Sequence, residues 1–491
     1  MTVPLLSRTS PSTPNRALEQ AKNIAFTYGV TGLDLLYLAT TVLVFPRIAE
    51  KAVFAEYRIL ILYSGYAGFL HLGLLSGFYL ESLHSHSLSH KLALLRKTRR
   101  LLLGFLLLLA PVGAVGFWLL NPTESATTVA ALLMSWFLLN GQTLCNYAAQ
   151  TQGGFNRFFV YNCIGRCAGL AFICIIAVTK TISTLTLDCS FLLPIAVSVA
   201  AAEALSYSRF KASAADAPAE AISASVTLQW RSCAHLYAAN VFATLALSAD
   251  KVVIASQFAR KTFADYSFAF SLSSLVLYAG DGIATATLPL LLRLKAADRH
   301  RLQSHSIWIW LYWCAPFAFW PATVFIDRWY GRYATCKPFL LCFCATLPAI
   351  IYCKSYCGSA AIAAKASHLQ SRVNLLGLAA IAAGIAGAEY HGGGPLFVCL
   401  GWGAGVLVWA VLCCWLLGKS NDERVRAELK AGLLQVAMSS TAFGLGYGAT
   451  RLGFIAGAVS HAALAASALA LSRLWDHRDF REGQPKGSGS L

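Results

Sequence analysis

LLLGFLLLLAPVGAVGFWLL, Leu101 to Leu120, decides the class of fold. A helix needs roughly 20 consecutive apolar residues to cross the hydrocarbon core of a bilayer, and this stretch supplies them without one charge. Comparable blocks recur from Ile24 almost to Trp475. They place spans at about 24–46, 57–80, 101–120, 127–148, 159–179, 187–207, 233–256, 263–291, 306–327, 338–362, 370–388, 395–418, 431–450 and 452–474. The expectation is therefore about fourteen crossings, within a range of twelve to fourteen because the last two blocks are short and rich in Gly and Ala. Backbone exposed to lipid must satisfy its own hydrogen bonds, which leaves helices or closed barrels. The blocks are too long and too uniformly apolar for barrel strands, so the fold class read here is an all-α polytopic membrane protein.

Composition agrees. Of 491 residues, 57% are hydrophobic and only 12% charged, against about 25% charged in soluble domains. The formal charge of +17 is a topology signal rather than a nucleic-acid site. Under an even span count, the face holding Arg8, Arg16, Lys22, the run Lys91 to Arg100, Arg293 to Arg301, Arg424 to Lys430 and the C-terminal tail receives about 26 of the Lys and Arg, and the opposite face about 9. Both termini are therefore expected in the cytoplasm, and no nucleic-acid partner is expected. Most of the 15 cysteines fall in apolar blocks and read as small hydrophobes. No cofactor or metal is expected. His84, His86 and His90 read as a solvated loop group more readily than as metal ligands. No phosphate-binding loop and no nucleophile–base motif is present.

A repeat divides the chain. Phe54-Ala55-Glu56-Tyr57 precedes the second block, and Phe263-Ala264-Asp265-Tyr266 precedes the eighth. Ser64 and Ser273 follow at equal spacing, as do Gly73 and Gly282. The copies lie six blocks apart, so they enter the membrane in the same direction. Parallel halves of this kind characterise secondary transporters, with the substrate site between them. The expected division is a tail at 1–23, a first lobe at 24–208, a linker at 209–230, a second lobe at 231–418, a terminal helix pair at 419–475 and a tail at 476–491.

An ionisable group inside a bilayer costs on the order of 2.5–3.5 kcal/mol at mid-membrane and so faces a cavity or a partner. Eight fall within the blocks: Asp34, Arg58, Arg166, Glu203, Asp250, Lys251, Asp281 and Lys354. Asp34, Arg166 and Lys354 sit deep. Arg58, Glu203 and Asp250–Lys251 sit nearer block ends, where snorkelling is an equal reading. Arg58, Arg166, Lys251 and Lys354 suit an anionic substrate entering a low-dielectric cavity. Asp34, Asp250, Asp281 and Glu203 suit a coupling ion, because burial raises a carboxylate pKa.

The stretch Pro46-Arg47-Ile48, Phe54-Ala-Glu-Tyr57-Arg58 and Leu72-Gly73-Leu74 resembles the first helical hairpin of polysaccharide flippases. These are Wzx-like members of the multidrug/oligosaccharidyl-lipid/polysaccharide (MOP) exporter superfamily. Ala249-Asp250-Lys251-Val-Val-Ile254, Phe263-Ala-Asp-Tyr266, Ile283, Leu288-Pro289-Leu290 and Arg293 are similar to their span 7–8 region. Ala55 and Ala264 stand where that family often has Gly. The resemblance implies two helical lobes around a central cationic cavity and alternating access coupled to H⁺ or Na⁺. Its implied cargo is an undecaprenyl-diphosphate-linked oligosaccharide, moved across a bacterial cytoplasmic membrane beside polysaccharide polymerase machinery. A drug exporter of the same superfamily, which wants an acidic aromatic cavity, is the second reading. A membrane-embedded polymerase or transferase is the third, disfavoured by short outward loops.

Overall fold

The computed structural model describes residues 14–84, 87–121, 125–152, 154–212, 223–293, 306–363, 366–419 and 423–482. Among them all regular structure is helical: α1 (Pro14–Ile48), α2 (Lys51–Ser64), α3 (Leu74–His84), α4 (Leu88–Leu120), α5 (Ala126–Thr151), α6 (Phe155–Thr179), α7 (Thr184–Ala212), α8 (Ser223–Gln257) and α9 (Arg260–Arg293). Then come α10 (Ser306–Phe317), α11 (Phe319–Trp329), α12 (Lys337–Ile350), α13 (Gly358–Ala363), α14 (Ser367–Tyr390), α15 (Pro395–Lys419), α16 (Glu423–Gly448) and α17 (Phe454–Glu482).

The count of fourteen crossings is not reached. Among the described residues, 10 helices are long and apolar enough to cross a membrane, or 11 if the bent α2–α3 pair is one span. Helices do form at the other three expected positions, 263–291, 431–450 and 452–474, each with only part of its side chains among the described ones. In α9 the described side chains end at Asp281, and that part carries Asp265, Ser267, Ser271, Ser273, Ser274 and Asp281. In α16 the first turns carry Glu423, Arg424, Arg426, Glu428 and Lys430. In α17 the described side chains end at Leu469, and the apolar part among them is Phe454–Leu469. The outer ends also differ: α1 begins at Pro14 and α17 runs to Glu482, inside the stretches expected as tails, and residues 213–222 of the expected linker lie outside the described residues.

The two copies of the repeat occupy equivalent surroundings. Phe54, Ala55, Tyr57 and Ser64 are each at most 1% exposed, and so are Phe263, Ala264, Tyr266 and Ser273. Helix partners recur in the same way. The α1–α6 contact has a counterpart in α8–α14, α6–α7 in α14–α15, and α5–α7 in α12–α15. Between the two sets, α1 packs on α9 as α3 packs on α8. The copies part at their glycines. Leu72 and Gly73 take positive φ, and the second span bends there by 57°. In the second copy α9 continues helically through Gly282. The break at Gly73 has two causes visible in the fold. Only Gly tolerates its left-handed backbone cheaply, and a Cβ there would meet the Tyr237 side chain at 3.1 Å. Tyr237 repays the broken helix by donating its hydroxyl to the carbonyl of Phe69 at 2.8 Å.

Close helix approaches rest on glycine pairs. A Cβ on Gly165 would lie 1.9 Å from Ser198 Oγ and 2.3 Å from the Pro194 carbonyl of α7. Gly169, one turn on, faces Tyr37 of α1 and Pro194. On α14 and α15, Gly384 and Gly401 meet backbone to backbone. Small residues four apart let membrane helices pack this closely, where dispersion replaces the hydrophobic effect as the cohesive force.

Candidate functional site

The glycine pair on α6 aims Arg166 at α1. Arg166 Nε donates to Asp34 Oδ1 at 2.5 Å, and the guanidinium lies 5.1 Å from the centre of the Tyr37 ring. Tyr37 is itself fixed by donating to the Ser190 carbonyl at 2.7 Å. The pair is only partly covered, with Arg166 18% and Asp34 34% exposed. The pair is therefore outside the packed core.

A second pair forms on the other helix set. The chain between α12 and α13 is a π-helical turn, Ile351–Cys357, in which Lys354 alone is exposed and the six other residues are buried. Such turns widen the helix and are frequent at functional sites. This one turns Lys354 out to Asp281 of α9, 2.5 Å away, while Ser355 Oγ donates to the other carboxylate oxygen at 3.1 Å. Lys354 and Asp281 are 41% and 35% exposed.

Arg58 lies two turns into α2. Its Nε is buried and, among the described residues, has no hydrogen-bond partner. Tyr278 of α9 joins the group: Lys354, Asp34, Asp281 and Arg58 all lie within electrostatic reach of its hydroxyl. Tyr278 is 43% exposed. The sequence reading missed Tyr278. Its signal was available, since it sits one turn before Asp281 on the same helix face.

The remaining candidates go elsewhere. Asp250 and Lys251 are not at a snorkelling end: they are 0% and 8% exposed. Lys251 Nζ lies 3.1 Å from Asp250 Oδ1, donates to the Leu247 carbonyl and sits 3.7 Å from the Phe270 ring centre and 5.5 Å from that of Trp402. Tyr266, from the second repeat copy, donates to the same carboxylate. The carboxylate is thus saturated by protein donors. Glu203 pairs with Arg99 at 3.0 Å on α4, where both are exposed, apart from the Arg58 group. Of the three histidines, His86 lies outside the described residues, and His90 is 3.9 Å from Glu81. Ile283, Leu288, Pro289 and Arg293 belong to a stretch whose side chains are outside the described ones.

On one face the two helix sets are tied together. Lys51 contacts Asp265 at 2.6 Å, Thr335 donates to the other Asp265 oxygen at 2.6 Å, and Arg332 donates to the carbonyls of Pro46 and Ala49. Tyr330 donates to the Leu43 carbonyl. Halfway along the same seam Tyr66 donates to Ser248 at 2.8 Å.

The sequence matches no protein-family model, and no curated protein matches it. Solved structures do. An inward-closed structure of the lipid II flippase MurJ superposes with a TM-score of 0.60 at 13% identity, covering 92% of this chain and 99% of that one. An inward-facing multidrug resistance MATE family transporter of the MOP superfamily gives 0.54 at 14%, covering 84% and 96%. This chain shares the fold of these two structures. A mutant MATE protein gives 0.54 at 13% identity, over 86% of this chain and 98% of that one. At such identities the MOP likeness establishes the fold. Of what the Wzx-like resemblance implied, the fold alone is shown, and the similar structures are transporters and a flippase.

Proposed function

We propose that the protein is a flippase that moves a lipid-diphosphate-linked oligosaccharide, a polysaccharide or O-antigen repeat unit, across a bacterial cytoplasmic membrane. Arg58 carries this reading. Its guanidinium has a buried Nε with no hydrogen-bond partner among the described residues, and it shares electrostatic reach of Tyr278 with both partly exposed ion pairs. A guanidinium nitrogen left without a partner suits an anionic ligand, and the guanidinium fork matches phosphate oxygens. Three cations against two carboxylates leave the group net positive, which favours a diphosphate over a cationic drug. The recurrence of helix partners supports two lobes of six spans, at 24–208 and 231–418, with a terminal pair beyond them. The fourteen helical segments expected from the sequence fit that scheme if α9, α16 and α17 also cross. Both termini then face the cytoplasm, and the tied face is periplasmic.

Coupling follows from the pairs. Protonation of Asp34, or Na⁺ held by it, releases Arg166 to a substrate phosphate; Asp281 and Lys354 offer the same exchange on the other lobe. Asp250 is less suited, because its oxygens are already occupied by Lys251 and Tyr266. Glu203, paired with Arg99 outside the group, takes no part. The MATE likeness keeps an exporter reading open on one observation: Asp34, Asp281 and Tyr278 form an acidic, aromatic patch once the cations move away.

Reconstituted protein and a fluorescent lipid-diphosphate oligosaccharide test the proposal. Arg58→Gln should lower flipping by at least about tenfold with expression intact, since a charge-assisted contact is worth roughly 1.5–3 kcal/mol. Wild-type rates in both Arg58→Gln and Lys354→Ala would sink it. Flipping insensitive to those changes, alongside proton-driven efflux of cationic dyes that needs Asp34, would favour the exporter.

A further inference from the structure

A cavity lies among the ends of α4, α5, α6 and α7, lined by none of the Arg58 group. Its volume is about 270 Å³, and Arg96, Arg99 and Arg157 all line it. Glu203 also lines it and is engaged by Arg99. Three guanidinium groups against one carboxylate leave two positive charges uncompensated. Among the described residues, Arg96 and Arg157 have no carboxylate partner within ion-pair distance. The floor and walls are apolar, with Leu95 and Leu144 buried and Leu205 exposed at the rim.

Three features converge on the ligand. The first is depth. The cavity sits where four candidate spans end, at His90–Leu120, Ala126–Thr151, Phe155–Thr179 and Thr184–Leu205. Arg96 and Arg99 come just before the uncharged run that starts at Leu101, so the guanidinium groups lie at the level of lipid phosphates. The second is the start of α6. Its N-cap is Gly154, without a side-chain cap, and Gly154 lines the cavity. The dipole of that 25-residue helix adds to the positive field. The third is the pairing of charge with apolar wall. A soluble anion gains nothing from Leu144 and Leu205, whereas the first methylenes of an acyl chain do.

We infer that this cavity is a binding site for the phosphate headgroup of an anionic membrane phospholipid, held by Arg96 and Arg157 with its glycerol and upper acyl carbons against Leu144 and Leu205. Basic pockets between membrane helices bind acidic headgroups through the same forces. The site is independent of the central group and of what that group carries. It anchors the ends of four helices to one leaflet.

Native mass spectrometry on delipidated protein, titrated with phosphatidylglycerol or phosphatidylcholine, tests the assignment. The wild type should hold one phosphatidylglycerol about tenfold more tightly than phosphatidylcholine, as expected for charge-assisted contacts. Arg96→Gln with Arg157→Gln should abolish that preference, and Arg96→Lys with Arg157→Lys should keep part of it, since Lys retains charge but lacks the fork. A melting curve in phosphatidylcholine identical to wild type shows that the Gln variant is folded. Should it be misfolded, the Lys variant and the wild-type lipid comparison still decide. Equal binding of the two lipids, or an unchanged preference in the variants, overturns the site. Displacement of the lipid by millimolar inorganic phosphate overturns the lipid assignment in favour of a free phosphate.

Discussion

Asp250 and Lys251 show how much a buried pair demands of its surroundings. The carboxylate takes its bonds from Lys251 and Tyr266, and the ammonium is completed by the Leu247 carbonyl and the faces of Phe270 and Trp402. Removing one partner leaves a charge in low dielectric, at a cost of roughly 3–5 kcal/mol. Asp250→Asn should therefore lower the thermal midpoint markedly, and adding Lys251→Met should recover most of the loss. A double variant no more stable than Asp250→Asn alone would refute the pairing. Gly73 is the other position where one atom matters. Gly73→Ala should destabilise by at least ~1 kcal/mol from its left-handed backbone alone, before the 3.1 Å approach of Tyr237 is counted. Gly104→Ala, whose Cβ would meet nothing within 4 Å, should be neutral or slightly stabilising in the same melting assay.

Helices were the legible part of this chain, because a run such as Leu101–Leu120 has one physical solution in lipid. The partners of their charges were not. Asp34 and Arg166 are 132 residues apart, and nothing in spacing chooses between Arg166, Lys251 and Lys354 as the mate of Asp34. Lys354 reaches Asp281 through a π-helical turn that no periodicity announces. Snorkelling suited Asp250–Lys251 on position alone, yet the aromatic shell that holds them comes from α9 and α15, distant in sequence. What was readable, and unread, is the spacing Gly165-x-x-x-Gly169, which sets α6 against α7 and α1 and so places Arg166. Gly165→Ala puts a methyl 1.9 Å from Ser198 Oγ, an overpacking that costs typically 1–3 kcal/mol. It should reduce flipping as well as stability, because the shift carries Arg166 off Asp34. A variant with wild-type transport would show that the close approach is not what positions the guanidinium.

The two helix sets are joined on one face by a belt of polar contacts whose members come from both. Lys51, Asp265 and Thr335 make its centre, and Arg332 and Tyr330 hold the backbone of residues 43–49. Under the proposed alternating access, the whole belt parts while the buried repeat residues beside it, Tyr57 and Tyr266, stay packed within their own sets. A polar belt suits such opening, because exposing Lys51 and Asp265 to water costs far less than exposing Phe54 or Phe263. A partly covered ion pair is worth on the order of 1 kcal/mol, which corresponds to about a fivefold change in the ratio of closed to open forms. Lys51→Asp should therefore raise the open population by that factor or more, since it replaces attraction by repulsion. Lys51→Asp with Asp265→Lys should return it towards wild type. Hydrogen–deuterium exchange reads this directly in residues 43–57 and 330–337, which should exchange faster in the single variant and near the wild-type rate in the exchanged pair. If both variants exchange like wild type, the Lys51–Asp265 contact is incidental and the belt is held by its other members, Arg332 and Tyr330 on the carbonyls of residues 43–49.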